Sequence, residues 1–327
     1  MRQKDHTRKR SGGQSMKAVN YADGKVVVRD VPAPSGPGVR VKLTSTGICG
    51  SDIAMLDSGF GIAGIPGHEM AGILADGSAV AIEPVVPCGH CEFCRRGDYQ
   101  VCRSGIDRIF GVGRNGGMAE EIIVPERCLV RLPGRIDTGT ASLVEPLAVA
   151  IHGLRRARVR PTDRVVVVGG GTIGLCAVAG AVAIGCEVAL VARHDHQRQA
   201  GARLGAREEP KGEYDVAIDS AGGGSGAADA CAWLRPNGTL LMLSTSWDEI
   251  RLPGLELASK EPVIITSTMY SRDGVGRDID HAAMLLGLNP VIGQVIVTHR
   301  FPLEAAAEAF ATARDRKAGV IKVLLEP

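Results

Sequence analysis

Large rings are scarce in this chain. Phenylalanine, tyrosine and tryptophan together make up 3% of its residues, so a pocket walled by aromatic side chains is not expected. The one long uncharged apolar stretch, 165–186, reads as a strand, a glycine turn and a helix rather than as one continuous helix, so no membrane span is expected. An excess of charge of one sign is also missing. The formal net charge is +2, which gives no reason to expect nucleic acid or an anionic membrane as a partner. Even that excess is local, because Arg2, Lys4, Arg8, Lys9 and Arg10 stand against Asp5 within residues 1–15, leaving the remainder slightly acidic. The tail has no apolar core segment, so it does not read as a secretory signal. Residues 1–15 read as a disordered extension, with ordered chain from about Met16.

What the chain has is length, a globular composition and cysteine. At 327 residues a single hydrophobic core is near its upper size, so two domains are expected. Four of the nine cysteines fall in the run Cys88-Gly-His-Cys91-Glu-Phe-Cys94, closed by Cys102. Four thiolates packed so tightly fit a closed tetrahedral zinc site of the structural kind. His90 lies inside the run, but four sulfurs already complete a tetrahedron, so it reads as a loop residue. With no secretory signal, thiols in this number point to a reducing, cytoplasmic compartment.

A second constellation lies upstream. Residues 47–52 read Gly-Ile-Cys49-Gly-Ser51-Asp52, and residues 67–69 read Gly-His68-Glu69. Cysteine, histidine and glutamate are a mixed set of zinc ligands, and a catalytic zinc takes three protein groups while keeping one position open. Alone, this pair of motifs reads better as ordinary structural residues; next to the four-cysteine run, the metal reading prevails.

A third signal is nucleotide binding. Arg164-Val-Val-Val-Val168 is a β-branched run of the kind that forms a buried parallel strand. It leads through Gly169-Gly-Gly171-Thr172-Ile173-Gly174 into an apolar, helix-like segment. Glycines at 169, 171 and 174, after a strand and before a helix, let the backbone approach a pyrophosphate at the positive helix end. A second strand follows over Glu187–Ala192. Its end carries Ala192-Arg193 in place of the acidic residue that bonds a ribose 2′-hydroxyl. Arg193, with Arg198 beyond it, suits a 2′-phosphate, so NADP is expected over NAD. The alternative is that both arginines are ordinary solvated charges and Asp195 only a helix cap, which a register shift could bring to the ribose.

In this order the motifs resemble the zinc-containing medium-chain alcohol dehydrogenases, and most nearly their polyol, sorbitol-like branch. Besides the segments already quoted, Leu143-Val-Glu145-Pro-Leu-Ala148 carries the likeness, which runs from about Met16 to Pro327. The resemblance implies an α/β fold: a GroES-like β-barrel catalytic domain over 16–146 and 271–327, with the zinc lobe at 88–102. A Rossmann domain with a doubly wound parallel sheet would occupy 147–270. It implies two zinc ions per chain and a catalytic set of Cys49, His68 and Glu69. Glu145 stands where a related branch has a cysteine ligand, and it could bind the metal directly or through water. Ser51 matches a proton-relay hydroxyl and Asp52 the carboxylate that orients the ligand histidine. Lys322 lies where the family often places a base near the coenzyme phosphates. A small-molecule alcohol or carbonyl substrate and a homodimer or homotetramer are expected.

Two departures from the family pattern stand out. The segment after Glu69 is short, and Asp76-Gly77 between alternating apolar runs predicts a two-residue hairpin. The stretch from Cys49 to His68 is also short, which leaves substrate preference open. A zinc-free quinone reductase would lack both metal motifs. A non-catalytic nucleotide-binding scaffold would not need Ser51 beside Cys49. A zinc-finger DNA binder would need a basic face.

Overall fold

The computed structural model describes residues 14–327 apart from 23, 61, 63, 134–135, 246–248 and 316. The disorder expected for residues 1–13 lies outside the described residues. Ser15 already pairs, opposite Pro32, in the two-stranded antiparallel ribbon Ser15–Ala22 and Lys25–Pro32.

Two sheets organise the molecule. The first is parallel, with five strands in the spatial order Val263–Thr266, Leu234–Met242, Tyr214–Asp219, Arg164–Val168, Glu187–Val191. The run of four valines forms a central strand in which Val165, Val166 and Val167 are fully buried; covering on both faces is why this strand reads as continuous apolar sequence rather than alternation. Strand order reverses between Arg164–Val168 and Tyr214–Asp219, the place where such sheets open a crevice for ligands. Beyond Glu187–Val191 the sheet continues only as a single parallel bridge between Ala189 and Arg207. The second strand stops at Val191, one residue before the expected Ala192.

The second sheet has seven strands. Its path is Val297–Pro302, Lys322–Glu326, Val39–Gly47, Glu69–Ile73, Ala79–Ile82, Leu129–Arg131, with Glu121–Val124 also paired to Val39–Gly47. The chain therefore reaches this sheet early and returns to it at its end. The helix Val144–Arg156 packs against Thr172–Ile184 and against Asp278–Leu288, which ties the layers together.

The hairpin around Asp76-Gly77 forms between Glu69–Ile73 and Ala79–Ile82, but its loop has three residues, not two. Leu74 and Ser78 still pair (N to O, 2.9 Å), and the Gly77 N–H donates to the Leu74 carbonyl at 2.9 Å. Gly77 has φ +84°. A turn closed by a left-handed glycine is the usual three-residue solution.

Candidate metal and nucleotide sites

Strand pairing assembles the first site. Val39–Gly47 and Glu69–Ile73 run antiparallel with Gly47 opposite Glu69, so the residues just past Gly47 meet those that open the next strand. A Cβ built on Gly47 would lie 1.9 Å from a Glu69 carboxylate oxygen; only glycine leaves room for that side chain. Cys49 then stands at the start of the helix Gly50–Ser58, its N–H donating to the Asp52 carboxylate at 2.9 Å. The ligand-capable atoms of Cys49, His68 and Glu69 all lie within 4.8 Å of one another, a spacing and a donor set that fit zinc.

The surroundings of this triad are buried and charged. Asp52 is fully buried, with an oxygen 3.5 Å from His68 Nδ1, the approach expected of a carboxylate that turns an imidazole toward a metal. Burial pulls the His68 imidazole down, but Asp52 and Cys49 outweigh it and hold it well above its ordinary value. Ser51 sits in the first turn of the same helix, half-buried. Glu145, near the start of Val144–Arg156, lies outside the three-atom set. Burial, opposed by His68 and helped by Glu69, pushes its carboxyl up to about 7. The buried Tyr270 hydroxyl neighbours it.

Lys322 lies beside the metal site. The resemblance implied a base near the coenzyme phosphates; the structure buries its ammonium 2.7 Å from both Glu69 oxygens and 3.0 Å from the Ile48 carbonyl. A charged amine this deeply buried needs a carboxylate, and Glu69 supplies it. The pairing of Lys322–Glu326 with Val39–Gly47 brings it there. Sequence reading missed this contact, as it missed Tyr270, which no motif marks.

The four-cysteine run closes into a compact knot. Sulfur separations are 3.4 Å for Cys91–Cys94, 3.8 Å for Cys88–Cys94 and 3.9 Å for Cys91–Cys102. Zinc–sulfur bonds of about 2.3 Å give tetrahedron edges of about 3.8 Å, so the knot has the size of a four-thiolate site. His90 turns away, exposed, its ring 3.0 Å from the Cys88 carbonyl. None of the nine cysteines is bridged.

At the nucleotide site, Gly171 caps the helix Thr172–Ile184, and a Cβ there would meet nothing within 4 Å. That open side is where a pyrophosphate could approach the helix end. Gly174 is different: its Cβ would lie 1.9 Å from the Gly169 carbonyl oxygen, so it serves close helix–strand packing. Ile173 occupies the first turn, and the Thr172 hydroxyl donates to the Ile321 carbonyl at 3.0 Å. Arg193 is exposed and has no side-chain partner among the described residues. Arg198 instead folds back, donating to the Ala192 carbonyl at 2.8 Å and pairing with Asp195.

Among the described residues no helix is long and apolar enough to cross a membrane.

Residues 36–134 match the family model of the alcohol dehydrogenase GroES-like domain, and residues 172–284 that of the zinc-binding dehydrogenases. The L-arabinitol 4-dehydrogenase of Aureobasidium melanogenum is 31% identical over 89% of this chain and 88% of its own. The L-galactonate-5-dehydrogenase of Escherichia coli is 28% identical over 86% and 89%. A Sinorhizobium meliloti protein named as a zinc-binding dehydrogenase, solved bound to NADP, superposes with a TM-score of 0.85 at 26% identity, covering 96% of this chain and all of that one.

Proposed function

The chain belongs to the zinc-containing medium-chain alcohol and polyol dehydrogenases, and from that premise we propose that Cys49, His68 and Glu69 hold its catalytic zinc and that NADP is its preferred cofactor. As a member it is a zinc-dependent dehydrogenase that passes hydride between an alcohol and a nicotinamide dinucleotide. The observation that carries the site assignment is the convergence of three ligand atoms within 4.8 Å on paired strand ends, with Asp52 behind His68. Zinc bound there supplies Lewis-acid polarisation of the substrate oxygen.

The chain's own residues do the rest. Asp52 fixes the His68 ring and tautomer. Ser51, two residues past Cys49, accepts the substrate proton and hands it toward solvent. Lys322 offsets the charge of Glu69, the carboxylate that would serve as the zinc's third ligand. Glu145, held near neutrality by burial, remains beside the ligands without joining them. Gly169, Gly171 and Gly174, with Thr172 and Ile173, receive the dinucleotide at the start of their helix. Two observations support NADP: Ala192 brings no carboxylate to repel a 2′-phosphate, and Arg193 stands free to bind it. Arg198 acts indirectly, by shaping the loop that presents Arg193.

The second zinc belongs to Cys88, Cys91, Cys94 and Cys102. Nine unbridged thiols support a reducing, cytoplasmic setting. Exposed Val263 and Ile264 on the free edge of the parallel sheet support a homodimer or homotetramer. Relatives named for arabinitol and galactonate support a polyol or sugar-like secondary alcohol as substrate. A panel of polyols, sugar acids and simple secondary alcohols, followed by absorbance of the reduced cofactor, tests this. Turnover of at least one polyhydroxylated member with NADP is expected; activity confined to simple alcohols would reject the substrate class.

A further inference from the structure

Beside the four-cysteine lobe lies a cleft of about 390 Å³ that no part of the hydride-transfer chemistry uses. Neither Cys49, His68 and Glu69 nor the glycine turn lines it. Arg95, Arg96, Arg127, Arg272 and Arg277 do, against one carboxylate, Glu83.

The fold brings these arginines together from separate elements. The short helix Glu92–Arg96 ends at Gly97, whose carbonyl accepts from the Arg272 N–H at 3.2 Å. That backbone contact sets Arg95 and Arg96 beside the hairpin carrying Arg272. Arg277, paired with Arg272 in the same hairpin, donates to the Arg127 carbonyl at 2.7 Å.

Partner accounting shows an excess of positive charge. Arg277 is neutralised twice, by Glu83 at 2.8 Å and by Asp280 at 2.6 Å. Glu83 also accepts from the Tyr99 hydroxyl at 2.5 Å, so the lining carboxylate is fully engaged. Arg96 lies 3.4 Å from Asp98 and stacks over Phe93. Arg127 reaches only the Pro87 carbonyl, at 3.1 Å. Arg95 and Arg272 have no side-chain partner among the described residues. Three guanidinium groups without a carboxylate therefore border one cleft.

Like charges held together repel, and a concave site focuses their field on whatever enters it. A single carboxylate would offer one charge and one planar edge. A phosphate group offers up to two charges and oxygens on all sides, which suits guanidiniums arriving from different elements. The volume leaves room for more than the phosphate itself. We propose that this cleft is a binding site for a phosphate-bearing small molecule, separate from the dinucleotide and substrate sites. The competing explanation is that the arginines only offset the negative charge of the thiolate lobe. Backbone N–H groups of Cys88, Cys91 and Ser104 already point at those sulfurs at 3.4–3.5 Å.

Calorimetric titration of the zinc-loaded full chain tests the proposal, with inorganic phosphate and pyrophosphate as probes. The nicotinamide dinucleotide is kept at saturation so that the glycine turn is occupied. One saturable phosphate site is expected in the wild type. The double variant Arg95→Ala, Arg272→Ala should weaken it about tenfold or more while zinc content and dinucleotide affinity hold. Arg272→Gln alone, on an exposed hairpin, should weaken it about threefold and covers the case in which the double variant fails to keep its zinc. Absence of a saturable site in the wild type, or unchanged binding in both variants, overturns the proposal. So does a double variant that loses lobe zinc when the wild type binds no phosphate, because the arginines would then serve the thiolates alone.

Discussion

At the residue scale, the contact between Lys322 and Glu69 decides how the metal site behaves when empty and when filled. Both groups are almost wholly buried. Removing one partner of such a pair costs about 3–5 kcal/mol, because the other is left uncompensated. In Lys322→Met that cost should appear in full in chelator-treated protein and shrink once zinc balances Glu69. The measurement is the denaturation gap between variant and wild type, taken with and without zinc. An equal gap in both conditions would contradict the assignment of Glu69 as a ligand. Dinucleotide affinity should hold, since the ammonium faces Glu69 rather than the glycine turn. Cys49, Ser51, Asp52, His68 and Glu69 could be named from sequence because they lie in short motifs that resemble the family's; taken alone, those motifs read as ordinary structural residues. The sequence did not display the role of Lys322, which lies 253 residues from Glu69 and meets it only because the last strand pairs with Val39–Gly47. The separation of Glu145 from the three ligand atoms was equally invisible, since it depends on how a helix seats against paired strands.

At the scale of elements, the joint between Val144–Arg156 and Asp278–Leu288 rests on one carboxylate. Asp278 accepts from His152 Nδ1 at 2.8 Å, from Arg155 at 2.8 and 2.9 Å, and from the Ser271 N–H at 2.9 Å. Burial alone would raise this carboxyl, but hydrogen bonds from His152, Arg155 and Ser271 outweigh it and hold it at about 2. A carboxyl depressed in the folded state stabilises above its ordinary range near 4, and the gain is lost as pH falls through about 2. Asp278→Asn should therefore cost about 3–5 kcal/mol at neutral pH, by leaving Arg155 without its partner. Between pH 4 and pH 2 the variant should lose stability less steeply than the wild type. Urea midpoints at pH 7, 4 and 2.5 measure this, and parallel slopes would refute it. Pattern made most elements legible: the valine strand, the glycine-opened helix and the turn at Asp76-Gly77. The turn's third residue was not, because loop length follows from register. Nor was the parallel bridge between Ala189 and Arg207, since that segment carries no strong strand pattern.

At the scale of the whole molecule, two sites on two sheets must cooperate in one reaction, and each can be disabled alone. Arg193→Ala should weaken NADP by about tenfold, the worth of a charge-assisted bidentate contact, and leave NAD nearly unchanged. Equal effects on both cofactors, measured by fluorescence titration, would make Arg193 a bystander. The expectation of NADP rests on one position, Ala192 and its neighbour, at the end of a strand. The substrate is not legible in the sequence, because the short segment between Cys49 and His68, which the resemblance puts near the active-site mouth, carries no chemical motif. The most direct test of the account is the zinc content of His68→Ala, determined together with its dinucleotide binding and turnover. The account predicts two zinc ions per chain in the wild type and one in the variant, with dinucleotide still bound and alcohol oxidation abolished. A variant that keeps both ions, or that turns over substrate at a substantial fraction of the wild-type rate, would contradict it.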